Sequence, residues 1–214
     1  MPRLSDWVVP VGLLLLSLVP VLAGTVRLLQ IVSGDLTAEN ARFLDAPLPG
    51  VLHITAVTLF SLLGAFQFAP SLRRRLPRWH RRSGRLVVPA GLVAALSGLW
   101  MSQFYALPPA DGLWLYAIRW VVGVWMIFAL IRGYLAIRAR KIAQHRAWMI
   151  RGYAIGMGAG TQVLTSVPYF VLVGQPDTGM RALLLGLGWA INAVVAELIL
   201  ARGAGRRQPV ANTG

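Results

Sequence analysis

Apolar stretches of about 18 or more residues recur along this chain of 214 residues. Each is long enough, as a helix, to cross a hydrocarbon core of about 30 Å. In hydrocarbon, backbone amides and carbonyls must be satisfied without water, which leaves helices or closed barrels. Runs this long and this continuous are helical, so the class is all-α, a polytopic membrane protein. Composition agrees: 57% of the residues are hydrophobic and 13% charged, with a mean hydropathy of +0.63. Soluble domains carry about 25% charged residues.

Six spans are expected, at about 7–32, 50–70, 86–104, 113–137, 153–173 and 181–201, in a single domain covering 1–214. The segments between them sort by charge. Ser71 to Arg85 holds seven arginines and no acid, and Arg132 to Arg151 holds six basic residues and no acid. Adding Arg3 and the basic tail at 202–214, with Arg202, Arg206 and Arg207, places 17 of the 21 basic residues on one side. The other side carries Arg27, Arg42, Arg119 and Arg181 with Asp35, Glu39, Asp45, Asp111 and Asp177. The positive-inside rule then puts both termini in the cytoplasm. The first span reads as an uncleaved helix, because its apolar run passes Val21-Leu22-Ala23 and is longer than a signal core.

The net charge of +14 invites a nucleic-acid reading. Its confinement to one set of loops argues instead for anionic lipid at the cytoplasmic face and against nucleic acid. The chain has no cysteine, which removes disulfides, thiolate metal sites and a cysteine nucleophile. No nucleotide-binding loop, zinc motif or nucleophile elbow is present, so a stand-alone hydrolase or pump is disfavoured.

Gly152, Gly156 and Gly160 form a GxxxGxxxG stripe in the fifth span. Such stripes let helix backbones approach in lipid, or clear space for a flat cofactor. Pro20 and Pro168 fall inside spans and are expected to kink them.

Polar groups at membrane depth are functional candidates. On the outer side, His53, Arg27 and Arg119 could meet in a pocket. On the inner side, His80-Arg81 and His145-Arg146 open the third and fifth spans, with Arg85 and Arg151 following. Two imidazoles on facing helices are a ligand set for b-type haem, and Arg81, Arg85, Arg146 and Arg151 could hold its propionates. Gly84 and Gly152 lie on the same helical faces and would make room for the macrocycle. Glu197 is expected to pair with an inner arginine such as Arg151.

These motifs resemble an uncharacterised family of bacterial multi-pass membrane proteins, domain-of-unknown-function family 2306. The resemblance rests on His53, on His80-Arg81-x-x-Gly84-Arg85, and on His145-Arg146-x-Trp148-Met149-Ile150-Arg151 followed by Tyr153-Ala154, and covers roughly 50–200. It implies a bacterial inner (cytoplasmic) membrane and no particular activity. The layout is more weakly similar to the cytochrome b561 superfamily, which implies an inner haem between His80 and His145 and makes His53 an outer ligand. The matching position in the fourth span carries Trp114, Tyr116, Arg119 or Trp120, not histidine.

Two functions are thus expected from the residues: a haem- or quinone-interacting electron carrier with His80 and His145 as axial metal ligands, or a non-haem protein that handles lipid or small molecules through His53, Arg27 and Arg119. An accessory subunit of a membrane complex is the third reading.

Overall fold

The computed structural model describes residues 4–37 and 40–205, so Arg3, Glu39, Arg206 and Arg207 lie outside the described residues. It is built of helices: α1 (Ser5–Ser33), α2 (Ala41–Asp45), α3 (Pro47–Gln67), α4 (Pro70–Arg75), α5 (Pro77–Phe104), α6 (Gly112–Arg138), α7 (Ile142–Gly156), α8 (Gly158–Leu172) and α9 (Thr178–Gly205). A 3-10 turn at Pro109–Asp111 precedes α6. By length and composition, five described helices could cross a membrane: α1, α3, α5, α6 with its leading turn, and α9.

The expected fifth span differs. In place of one helix over 153–173 there are two, α7 and α8, each of 15 residues. The interruption is at Met157 (φ −79°, ψ 1°), not at Pro168, which stays inside α8 as Pro20 stays inside α1. The local sequence Gly156-Met157-Gly158-Ala159-Gly160 is weak in helix propensity, since each glycine costs about 1 kcal/mol relative to alanine. A polar group from another helix supports the break. Asn192 Nδ2 in α9 donates to the Ala154 carbonyl at 2.9 Å, and its Oδ1 accepts from the Thr161 hydroxyl at 2.7 Å. Irregular backbone at membrane depth survives only where such partners exist.

The helices pack in a closed ring in the order α1, α3, α5, α6, α9, α8 and back to α1. Helix α7 stands inside it, touching α3, α5, α6 and α9. The glycine stripe explains how it fits. A Cβ on Gly152 would lie 3.0 Å from Leu130, and one on Gly156 would strike Phe60. Gly160, past the break, abuts the backbone carbonyl of Leu16. That carbonyl is the one whose i+4 donor is missing, because residue 20 is proline. The stripe is therefore used for close packing. Around it lies the buried core of Phe60, Val87, Met126, Leu130, Tyr153 and Ile155, with the Tyr153 hydroxyl donating to the Ser61 carbonyl at 2.7 Å.

The outside of the ring is apolar and uncovered, as at Leu29, Val121 and Val171, which are 65%, 69% and 72% exposed. A contiguous apolar exterior of this kind is the surface a lipid bilayer covers.

Because α7 ends at Met157 and α8 moves out into the wall, the centre of the ring is filled at one end only. At that end are the arginine-rich segments. The centre of the other half stays open.

Candidate functional site

The open half is a cavity of about 350 Å³, within the roughly 300–1,000 Å³ of small-molecule sites. Its floor is the end of α7 with its neighbours: Phe60, Met126, Ile155, Gly156 and Trp189. Its wall carries His53 from α3, Gly98 from α5 and Gln162 from α8. Its mouth is polar, formed by Arg42, Tyr105, Asp111 and Arg119.

The mouth is built around one carboxylate. Asp111 is 3% exposed and accepts from Arg119 Nη1 and from Arg181 Nε, each at 2.7 Å. A buried charge needs partners that satisfy it, and here two cations share one anion, so the rim keeps a positive excess. Arg42 and Arg27 stack on Phe43, their guanidinium carbons 5.0 and 4.9 Å from the ring centroid, a cation–π arrangement. Tyr105 ties the rim together: its hydroxyl donates to the Ala46 carbonyl at 2.7 Å and accepts from the Gly50 amide at 3.2 Å. Burial pushes this phenol above its ordinary pKa, still further from ionisation at neutral pH.

Of the residues expected to meet on this side, His53 and Arg119 line the same cavity. Arg27 stands behind the rim, reaching it through Phe43. His53 Nδ1 lies 2.9 Å from the Ala94 carbonyl and 3.2 Å from Ser97 Oγ. Gly98 gives the ring its place, since a Cβ there would be 3.1 Å from His53 Cε1. Asp111, Arg42, Arg181 and Tyr105 were not singled out by the sequence. They sit in loops or at helix ends, where no periodicity marks them, and their partners are 8 to 70 residues away.

At the arginine-rich end, His80 and His145 each occupy the first turn of their helix, their amides closing that turn onto Leu76 and Lys141. His145 Nδ1 donates to the Gly133 carbonyl at 2.9 Å. Among the described residues, His80 Nδ1 is buried without a hydrogen-bond partner. The surroundings lend a haem no support. The face of Gly152 is filled by Leu130, and Gly84 lies against Gln67. Arg81, Arg85 and Arg146 are exposed. Arg151 is engaged by Glu197 in the expected pair, Nε to Oε1 at 2.6 Å and Nη2 to Oε2 at 2.8 Å, with its guanidinium 5.0 Å from the Trp148 centroid. Among the described residues, no group of three or more His, Asp or Glu could hold a metal ion.

Fold and site define a polytopic helical membrane protein with an internal cavity, polar at one end and apolar at the other. The family model described as Predicted membrane protein (DUF2306) matches residues 50–200, and the chain belongs to that family. No curated protein and no solved structure matches it.

Proposed function

We propose that this protein is a non-haem membrane protein that binds an amphiphilic small molecule or single-chain lipid in the cavity between α3, α5, α6, α8 and α9. The observation that carries this reading is the polarity gradient within one continuous cavity. Arg42 and Arg119 at the mouth suit an anionic or acceptor-rich head. Phe60, Met126 and Trp189 suit an apolar body. In this reading α7 and α8 together make the sixth crossing, the mouth opens to the outer side, and the arginine-rich end faces anionic lipid in the cytoplasmic leaflet of a bacterial inner membrane.

The test is a titration of the purified protein in zwitterionic nanodiscs with a fatty acid brominated at its tail, which quenches indole fluorescence on contact. Saturable quenching is expected, and Trp189→Phe should remove most of it. Arg119→Leu should weaken binding about tenfold, the ~1.5 kcal/mol of one charge-assisted hydrogen bond. Quenching that rises linearly without saturation, and that Trp189→Phe leaves unchanged, would sink the proposal.

A further inference from the structure

The partners of His53 say what kind of ligand the cavity takes. Its Nδ1 is 2.9 Å from the Ala94 carbonyl, and a carbonyl can only accept. The proton is therefore on Nδ1. Ser97 does not compete for it, because its own hydroxyl donates to the Val93 carbonyl at 2.6 Å and is left to accept. Both contacts hold the ring from the α5 side, and Gly98 leaves the space that lets it seat there. This fixes Nε2 as a lone pair with no proton. His53 lines the cavity, and among the described residues its hydrogen bonds are made through Nδ1 alone, leaving Nε2 without a partner. It is an acceptor open to whatever occupies the volume.

We infer that the ligand of this cavity carries a hydroxyl or amine that donates to His53 Nε2, below an anionic or acceptor-rich head at Arg119. This inference rests on the binding function proposed above and narrows it to hydroxyl- or amine-bearing amphiphiles. His53 is the specificity-determining residue. A ligand without the donor leaves a desolvated lone pair unmatched. Such an omission discriminates far better than a missing methylene does.

The experiment is displacement of the tail-brominated fatty acid by nonylphenol and by its methyl ether, which differ in the single donor. The phenol should displace at least tenfold more effectively in the wild-type protein. In His53→Phe the two should be equal. An equal effect in the wild type, or a preference that survives in His53→Phe, overturns the donor inference while leaving the cavity reading standing. A fatty acid that never saturates overturns both. Nitrogen-15 NMR of the histidines, isolated by His80→Gln and His145→Gln, checks the premise without altering His53. The Nδ1–H tautomer, with Nε2 shifting on addition of nonylphenol and not of the ether, is the expected result. An Nε2–H tautomer overturns the inference.

Discussion

At the scale of residues, glycine and asparagine do as much as the charged side chains that catch the eye. Gly160 faces the Leu16 carbonyl, a backbone atom that cannot rotate away. Gly160→Ala should therefore destabilise the protein by about 1–3 kcal/mol, as overpacking does, and lower the thermal unfolding midpoint in detergent. Among the described residues nothing lies within 4 Å of a would-be Cβ on Gly12, so Gly12→Ala should hold or slightly raise the midpoint, by the ~0.5–1 kcal/mol of helix propensity. Equal midpoints for the two variants would contradict the α1–α8 packing described. The two inner histidines show the opposite lesson. Their matching place in sequence is matched by their place in the first turns of α5 and α7, yet Leu130 packs on the face of Gly152, while Gly84 meets only the Gln67 side-chain oxygen at 3.6 Å. Spacing showed which faces the glycines share with the histidines. It did not show what fills those faces, because Leu130 arrives from another helix.

At the scale of elements, five of the expected spans are single long helices, and these were legible because apolar length alone identifies them. The sixth region was not. A glycine-rich segment inside an apolar run reads as a packing stripe, and it is one, but the same glycines also weaken the helix enough to break it. The break depends on Asn192, whose distance in sequence hides the link. Asn192→Leu should leave the Ala154 carbonyl and the Thr161 hydroxyl short of partners, costing about 1–3 kcal/mol. Thermal unfolding should register this loss. Thr165 and Gln162, which reach the Leu184 and Leu185 carbonyls, remain to hold α8 on α9, so the variant should still fold. A midpoint unchanged from wild type would remove Asn192 as the support of the break.

At the scale of the whole molecule, the absence of cysteine makes topology directly measurable, since any introduced thiol is the only one. Arg82→Cys and Arg140→Cys should react with an impermeant maleimide from the cytoplasmic side, and Ala106→Cys and Gln175→Cys from the other. Reaction of Gln175→Cys from the same side as Arg140→Cys would show that α7 and α8 do not make a crossing between them. The interruption at Met157 also bears on how this segment is held. Each half is 15 residues long, about 22 Å of helix, short of the hydrocarbon thickness, and α7 carries Arg146 and Arg151. Neither half alone spans that thickness. Both are tied to α9, which supplies Asn192 to the break and Glu197 to Arg151. Helix α9 is thus the common brace of the two halves, and a change that displaces it would loosen the segment on both sides of the break at once.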